Sequence, residues 1–313
     1  MRMVQLGKSG LVVSVVGLGC NNFGGRLDLD ATRSVVDAAL NAGVNLLDTS
    51  DTYGGSGASE TLLGEVLRGR RDEVVLATKF GMDMRGSYGE DFGARGSRRY
   101  IRRAVEGSLR RLQTDYLDLY QYHRPDGITP IEETVDAMTE LVREGKVRYL
   151  GHSNFAGWQI AEAHYLTRPG VGFISAQNHY SLLERAVEAE VVPACERFGL
   201  GLLPFFPLAN GLLTGKVTRA GGPPAGTRLA ARKDDYLSAD KFDRVEALQQ
   251  WGEQRGVSLL QIAIGGLAAQ PAVTSVIAGA TTAEQVTANV EAGQWRPEPE
   301  DLAAIDKLAP GPV

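Results

Sequence analysis

Eight short apolar segments alternate with longer amphipathic segments along this chain of 313 residues. The apolar segments lack the strict polar–apolar alternation of half-exposed strands, which is typical of strands buried on both faces of a parallel sheet. Eight strand–helix units in about 300 residues match an α/β fold, the closed (β/α)8 TIM barrel. We therefore predict one barrel domain over residues 1–313. Its predicted strands are 15–18, 45–48, 74–78, 118–122, 147–152, 174–177, 200–205 and 273–278.

The alternative for such a pattern is a doubly wound open sheet. That fold would be indicated by a G-x-G-x-x-G motif after the first strand, where glycines allow the backbone to approach a dinucleotide. The corresponding segment here is GLGCNNFGG, and its Gly17, Gly19 and Gly24 do not have that spacing. The barrel is therefore the favoured prediction.

A hairpin and three long loops complete the predicted architecture. The N-terminal segment MVQLGKSGLVVS predicts a short β-hairpin, because two apolar runs flank residues 7–10, Gly-Lys-Ser-Gly. We expect this hairpin to precede the barrel and to plug its lower end. Long loops are predicted at 80–96, 124–129 and 207–256, the last with a helix near 239–255. In a barrel they lie at the carboxyl ends of the strands, where active sites are built.

Composition excludes several functional classes. The net charge is −5 and no block of like charge occurs, which disfavours nucleic acid as a partner. Cys20 and Cys195 are the only cysteines, so a reducing, cytoplasmic environment is expected. No apolar run approaches the roughly 18 residues that a membrane span requires. We therefore expect a cytoplasmic protein without a nucleic-acid or membrane partner.

Four titratable residues lie near the ends of three neighbouring predicted strands. Asp48 ends VNLLD, Tyr53 follows five residues later, Lys79 ends VVLATK and His123 ends YLDLYQYH. A phenol donates a proton poorly near neutral pH because its pKa is about 10, but a neighbouring ammonium favours the phenolate and lowers that pKa. Clustered titratable groups at one barrel rim are typical of a catalytic site.

Each of these four residues also has a purely structural explanation. A lone tyrosine in a glycine-rich loop is usually a packing residue, and a lone histidine at a strand end is usually a hydrogen-bonded core residue. An aspartate–lysine pair also occurs as a purely structural ion pair. A metal-dependent hydrolase is a further alternative, but it would normally use two or more histidines with carboxylates. Of the four histidines, only His123 is placed on the inner rim with a carboxylate nearby.

The local sequences around these residues resemble the aldo-keto reductase family, and its longer-looped bacterial branch is the most similar. The matching segments are LLDTSDTYGGSGASETLLGEVL, ATKFG, LDLYQYHRPD, YLGHSNF, AQNHYSLLER, PFFPLANGLLTGK and IAGATTAEQVTANV. They extend from Gly17 to Asn289 in the family's order. The resemblance implies a barrel enzyme that reduces aldehydes or ketones reversibly with NADP(H).

The resemblance also implies roles for the four residues. Tyr53 would be the general acid, and Lys79, paired with Asp48, would lower the pKa of that tyrosine. His123 would hydrogen-bond the carbonyl oxygen of a small-molecule substrate and orient it. The hydride has to come from a cofactor, because no side chain supplies one. Tyr88 and Phe92, in the loop after the third strand, are substrate-contact candidates.

Further residues would hold the cofactor. Ser153, Asn154 and Gln177 would bind the nicotinamide carboxamide, and Phe205 stands where the family commonly stacks a tyrosine on the nicotinamide. The resemblance implies that Leu208, Gly211 and Lys216 hold the pyrophosphate and that Gln285 and Asn289 face the adenine. The remaining implied cofactor contacts are Gly19, Gly279, Thr281 and Thr282.

Two threonines leave the choice of cofactor open. Related sequences often place Lys or Arg near positions 281 and 282 to bind the 2′-phosphate of NADP, but this chain has Thr281 and Thr282. A hydroxyl supplies no charge-assisted hydrogen bond. NADP(H) is the first choice, and NAD(H) is the alternative.

The alternative function is that of a cofactor-binding regulatory protein similar to a channel subunit. The natural substrate and the oligomeric state stay open.

Overall fold

The computed structural model describes residues 1–167, 171–223, 229–230 and 237–312. Two antiparallel strands come first, followed by eight strands that form one parallel sheet. The strands are β1 Met3–Gln5, β2 Val12–Ser14, β3 Val16–Gly19, β4 Leu46–Asp48, β5 Val75–Phe80, β6 Leu117–Tyr122, β7 Val147–Ser153, β8 Phe173–Gln177, β9 Gly201–Leu202 and β10 Val276–Gly279. All eight predicted barrel strands are thus present.

The parallel sheet closes on itself. Strands β3 to β9 pair in chain order, and β10 pairs with β3. Between β9 and β10 the amide of Leu202 donates to the carbonyl of Ala272 at 2.8 Å, and the amide of Ile277 donates to that of Pro204 at 2.9 Å. These bonds complete the cylinder and confirm the (β/α)8 prediction. We call the carboxyl ends of β3–β10 the rim.

The last two predicted strands are shorter in the structure than in the sequence pattern. The predicted strand at 200–205 is regular only at Gly201–Leu202, and the one at 273–278 begins at Val276. Pro204 has no backbone N–H and therefore interrupts the ladder on one side, which is the usual effect of proline in a sheet. Isolated bridges continue the pairing at both ends of this segment.

Helices follow the strands around the outside of the barrel. Several end one or two residues before a glycine with positive φ, such as Gly43 and Gly145, because glycine adopts that conformation without steric penalty. The helix predicted at 239–255 is confirmed. The helices are Leu29–Asn41, Ala58–Val66, Arg98–Leu112, Ile131–Arg143, Gly157–Leu166, Val191–Phe198, Ala239–Arg255, Leu259–Ala268, Ala283–Ala292 and Pro299–Leu308.

The N-terminal hairpin packs against the barrel end opposite the rim. Leu6 and Val13 are fully buried in one cluster with the barrel residues Leu46, Leu119 and Leu203. Burying apolar surface stabilises the folded state by roughly 25 cal/mol per Å². The hairpin therefore contributes to the core of the domain.

Among the described residues no helix is both long and apolar enough to cross a lipid bilayer.

Candidate active site

The barrel brings the four predicted catalytic residues together at the rim. Asp48 is the last residue of β4, and Lys79 is the second-last residue of β5. His123 directly follows β6, and Tyr53 begins a single helical turn, Tyr53–Ser56, after β4. Because β4, β5 and β6 are neighbours in a parallel sheet, their carboxyl ends point the same way.

Lys79 and Asp48 form a buried ion pair. The Nζ atom of Lys79 lies 2.7 Å from Oδ2 of Asp48 and donates to the carbonyl of Thr49 at 2.8 Å. The other carboxylate oxygen, Oδ1, accepts from the amides of Gln121 at 3.1 Å and Gln177 at 2.9 Å. Burial lowers the pKa of Lys79, but Asp48 and then Tyr53 raise it by more, so Lys79 carries its positive charge at neutral pH.

Tyr53 lies beside this ammonium. Its hydroxyl oxygen is 3.5 Å from Nζ of Lys79, and the ammonium also lies 5.0 Å from the centre of the tyrosine ring. Burial raises the pKa of Tyr53, Lys79 lowers it, and Asp48 raises it, which leaves the pKa above its usual value. Lys79 therefore acts in the expected direction but does not outweigh burial in the protein alone.

His123 faces Tyr53 across the rim. Their rings meet edge to face, with centres 5.9 Å apart. Its Nδ1 atom lies 3.1 Å from Oγ of Ser50, and its carbonyl accepts from the side-chain amide of Asn154 at 3.0 Å. Burial, followed by the charge of Lys79, lowers the pKa of His123 to about 3. The imidazole is therefore neutral at physiological pH, and one ring nitrogen carries a hydrogen.

The predicted carboxamide-binding residues lie next to these four. Ser153 ends β7 and Gln177 ends β8, and the Ser153 hydroxyl donates to the carbonyl of Gln177 at 2.7 Å. Asn154 adopts a positive φ of 58° and donates to the Ser153 hydroxyl at 3.0 Å. Gln177 donates to Asp48 at 2.9 Å and so connects the two groups directly.

An open cavity lies beside Asn154, whose side chain donates to the carbonyl of His123. Its volume is about 420 Å³, and its lining includes Arg124, Asn154, Asn178, His179 and Glu184. Within the described ranges, Oδ1 of Asn178 and Nε2 of His179 are buried without a hydrogen-bond partner. Buried polar atoms in proteins normally have partners, so unpaired ones beside a cavity suit a ligand. Sequence reasoning did not select either residue.

Aromatic rings surround the predicted nicotinamide platform. The ring of Phe205 is half-buried and stacks on His179, with centres 5.4 Å apart and planes 12° from parallel. Phe206 meets both rings edge to face. A phenyl face of this kind can stack on a planar ring.

The predicted pyrophosphate segment is a distorted 3-10 turn, Ala209–Thr214, which Leu208 precedes. Gly211 has a φ of 109°, and Lys216 is exposed just beyond the turn. In the described part of the chain, both polar side-chain atoms of Asn210 are buried and unpaired. Asn210 was not selected from the sequence, because an asparagine in an irregular segment carries no periodic signal.

The predicted adenine and ribose contacts follow β10. Gly279 pairs in register with Gly19 of β3, so two residues without side chains lie together at the rim. Thr282 is the N-cap of the helix Ala283–Ala292, and its hydroxyl accepts from the amide of Gln285 at 3.3 Å. The amide and hydroxyl of Thr281 both donate to the Gln285 side chain, at 2.8 and 3.1 Å. Asn289 is buried farther along the same helix.

The structure does not support the predicted substrate contact of Tyr88. This residue is 8% exposed, and its hydroxyl contacts Asp51 at 3.4 Å and Arg111 at 2.7 Å inside the protein. A buried acidic and basic pair therefore holds its polar end away from solvent. Phe92 is 84% exposed.

In the described ranges no group of three or more His, Cys, Asp or Glu side chains is arranged to hold a metal ion.

Comparison with known proteins places the chain in a family. Residues 15–310 match the model of the Aldo/keto reductase family. An uncharacterized oxidoreductase of Bacillus subtilis, YrpG, is 38% identical, with 100% of this chain and 97% of that protein covered. A probable voltage-gated potassium channel subunit beta of rice (Oryza sativa) is 38% identical over 93% and 91% of the two chains. The L-glyceraldehyde 3-phosphate reductase of Escherichia coli K12 is 32% identical over 98% and 92%. This chain belongs to the aldo/keto reductase family.

Proposed function

We propose that this chain is an NAD(P)H-dependent reductase of aldehydes or ketones, working reversibly with alcohols, and that Tyr53 is its general acid. The observation that carries the proposal is the contact of Lys79 with both Asp48 and Tyr53, at 2.7 and 3.5 Å. A phenol beside a fixed ammonium is suited to proton transfer, because the ammonium stabilises the phenolate that forms when the proton leaves.

The ion pair prepares Tyr53 for this role. Asp48 holds the ammonium of Lys79 at the rim, and Gln121 and Gln177 satisfy the second carboxylate oxygen. The charge of Lys79 is therefore in place before any substrate binds, so no reorganisation is needed as the phenolate develops. Tyr53 is half-buried, which leaves its hydroxyl within reach of a carbonyl oxygen at the rim.

His123 is suited to orienting the carbonyl. Its lowered pKa keeps the ring neutral, so it can offer one N–H without competing as an acid. The ring lies edge to face with Tyr53, which allows both side chains to approach the same oxygen atom. A carbonyl oxygen has two lone pairs and can accept both hydrogen bonds.

The residues on the other side of the rim fit a nicotinamide dinucleotide. When bound, the cofactor supplies the hydride. Ser153, Asn154 and Gln177 carry neutral hydroxyl and amide groups, which match the donors and acceptor of a carboxamide. The side-chain amide of Asn210, which is buried and has no partner among the described residues, supports a polar ligand along the turn Ala209–Thr214. NADP(H) is our first choice, with NAD(H) as the alternative, since positions 281 and 282 carry no positive charge.

The relatives' names agree with turnover on a carbonyl group. The Escherichia coli relative is named a reductase of an aldehyde phosphate, and the Bacillus subtilis relative an oxidoreductase. The rice relative is named a probable channel subunit, and this name agrees with the alternative hypothesis of a cofactor-binding regulatory protein. The presence of Asp48, Tyr53, Lys79 and His123 together at one rim favours an enzyme, because a cofactor-binding role alone does not require an acid beside an ammonium.

The test compares two tyrosine variants. Tyr53→Phe removes the phenolic proton and is expected to lower kcat for NADPH-coupled reduction of an aldehyde panel at least about a hundredfold, the usual contribution of general acid catalysis. Fluorescence titration with NADPH and NADH should show unchanged binding. The matched control is Tyr116→Phe, because the Tyr116 ring lies between Arg71 and Arg148 away from the rim. Wild-type kcat in Tyr53→Phe would exclude the proposed acid.

A further inference from the structure

A largely buried arginine contacts the loop that carries Tyr53. Arg111 lies near the end of the helix after β5, and its side chain is 20% exposed. Its Nε atom donates to Oε2 of Glu60 at 2.7 Å, and Glu60 is fully buried in the helix after Tyr53. Its Nη2 atom donates to the hydroxyl of Tyr88 at 2.7 Å. One guanidinium thus binds polar groups on two other elements through two different nitrogens.

Arg111 contacts this loop on both sides of Tyr53. Before the tyrosine, the Tyr88 hydroxyl that accepts from Arg111 lies 3.4 Å from Oδ2 of Asp51. After the tyrosine, the arginine side chain packs on Gly57, where a Cβ atom would lie 2.3 Å from Nε. A larger residue would displace one of the two, so the arginine and the loop are in direct contact.

Glu60 links Arg111 to the strand that carries Lys79. Its other carboxylate oxygen, Oε1, accepts from the hydroxyl of Thr78 at 2.5 Å. Thr78 and Lys79 are consecutive residues of β5, so their side chains lie on opposite faces of the sheet. The hydrogen-bonded group around Glu60 therefore lies outside the barrel wall, and the ammonium of Lys79 lies inside it.

The backbone just after Tyr53 has an unusual conformation. All four residues 54–57 have a positive φ, and three of them are glycines. Glycine restricts the backbone less than any other residue, so these residues do not by themselves hold Tyr53 in one position. Neighbouring elements do so: the carbonyl of Phe23 lies close to Gly54, and Arg111 lies close to Gly57.

We propose that Arg111 is a positioning residue that holds Tyr53 at the rim from outside the barrel. It contacts the loop directly at Gly57 and, through Tyr88, at Asp51. A misplacement of about 1 Å can lower a rate about a hundredfold, so a fixed loop matters for proton transfer. The proposal rests on the proposed function, because the position of Tyr53 affects turnover only if Tyr53 is the acid. That position is measurable without substrate, so the two proposals fail separately.

The first measurement is a ¹³C NMR spectrum of protein labelled at the tyrosine Cζ atoms, in which the Tyr53 signal is assigned by its loss in Tyr53→Phe. Arg111→Lys keeps a cation beside Glu60, but a single ammonium lacks the fork that binds Glu60 and Tyr88 together. We expect this variant to shift or broaden the Tyr53 signal, because the ring changes its position beside Lys79. An unchanged Tyr53 signal would overturn the proposal.

The matched control is Arg71→Lys. The Arg71 side chain is 16% exposed, pairs with Asp118 at 2.7 Å and lies 4.2 Å from the ring centre of Tyr116, near the start of β6 and away from the rim. Both substitutions remove hydrogen bonds from a buried ion pair, so both should lower the urea midpoint of unfolding. Only Arg111→Lys should move the Tyr53 signal. An equal shift in Arg71→Lys would overturn the proposal, because lost stability alone would then explain it.

A second variant keeps the test decisive if Arg111→Lys does not fold. Tyr88→Phe removes the hydroxyl between Arg111 and Asp51 and changes no charged residue. It should shift the Tyr53 signal and lower kcat about threefold to tenfold, as expected for one hydrogen bond, whereas Tyr116→Phe should change neither. A Tyr53 signal that is unchanged in Tyr88→Phe would contradict the proposal.

Kinetics connect the position of Tyr53 to turnover. With NADPH and an aldehyde panel, kcat should fall about tenfold to a hundredfold in Arg111→Lys and change less than about twofold in Arg71→Lys. The Kd for NADPH should be unchanged in both variants, because the contacts of Arg111 lie on the β4–β5 side of the barrel. An unchanged kcat in Arg111→Lys, or a rise in Kd that accounts for the lost turnover, would overturn the proposal. If the wild type reduced no carbonyl but the Tyr53 signal moved only in Arg111→Lys, the positioning role would stand and the proposed function would fail.

Discussion

The two halves of the rim differ in how completely their polar groups are paired. In the half formed by β4–β6, both carboxylate oxygens of Asp48 and the ammonium of Lys79 are bonded within the protein. In the half formed by the segments after β8 and β9, buried polar atoms of Asn178, His179 and Asn210 have no partner among the described residues. The buried charges of the first half are paired without a ligand, whereas the second half has unpaired buried groups that a ligand can satisfy.

Charge explains this difference. An unpaired charge in the interior is strongly destabilising, so an aspartate and a lysine can lie at the rim only if the protein pairs them. An unpaired neutral amide costs less, roughly 1–3 kcal/mol, and a bound ligand can offset that cost. We therefore expect substitutions in the first half to change folding stability, and substitutions in the second half to change ligand affinity.

The largest expected effect comes from breaking the ion pair. Lys79→Met keeps much of the side-chain volume but leaves Asp48 as a buried carboxylate without a cation. We expect the free energy of unfolding to fall by about 3–5 kcal/mol, the usual loss when one partner of a buried pair is removed. Urea unfolding followed by circular dichroism measures this change, and carbonyl reduction should be lost as well.

Two further variants show whether the loss comes from the unpaired charge. Asp48→Asn combined with Lys79→Met removes both charges and should recover part of the lost stability. Lys146→Met breaks a surface ion pair with Glu106 and should cost no more than about 1 kcal/mol, because solvent screens that pair. If Lys79→Met were as mild as Lys146→Met, the first half of the rim would not depend on charge pairing.

The same contrast explains what could be predicted from the sequence. Asp48 and Lys79 follow apolar runs, so a strand pattern alone places them at one rim. Gln121 lies inside such a run, in a strand whose residues are all buried, and nothing in the pattern marks it as the partner of Asp48. Asn210 lies in an irregular turn where no periodicity exists. Its position depends on local backbone geometry, including its positive φ of 57°.

The second prediction concerns His152, an unpaired buried group whose effect on stability should depend on pH. His152 of β7 is fully buried, neither ring nitrogen has a partner in the described part of the chain, and its ring stacks on Phe155 at 4.3 Å. Burial lowers its pKa to about 3. The unfolded chain binds this proton near pH 6.5 and the folded protein does not, so stability is complete above that pH and declines as pH falls toward 3.

The expected decline is measurable by urea unfolding. Between about pH 7.5 and about pH 5, His152 alone should lower the free energy of unfolding by about 2 kcal/mol. His152→Phe should reduce the wild-type pH dependence by that amount. An unaltered pH dependence in His152→Phe would mean that this ring is not held neutral by burial.

The smallest expected effect tests the second half of the rim directly. Asn210→Gly removes the unpaired amide while allowing the positive φ, because glycine adopts that conformation readily. We expect the free energy of unfolding to change by no more than about 1 kcal/mol, because removal of the unpaired amide raises stability and the greater backbone freedom of glycine lowers it. The Kd for NADPH should rise about threefold to tenfold, the loss of one neutral hydrogen bond. The control is Asn45→Ala, which should have the opposite effects on stability and on the Kd for NADPH. Asn45 is paired with Ser14 and Val12 at 2.7 and 3.0 Å, far from the rim, so its loss should lower stability and leave the Kd unchanged. If Asn210→Gly lowered stability and left NADPH binding intact, its amide would be a structural group, and the two halves of the rim would not differ in the way that their pairing indicates.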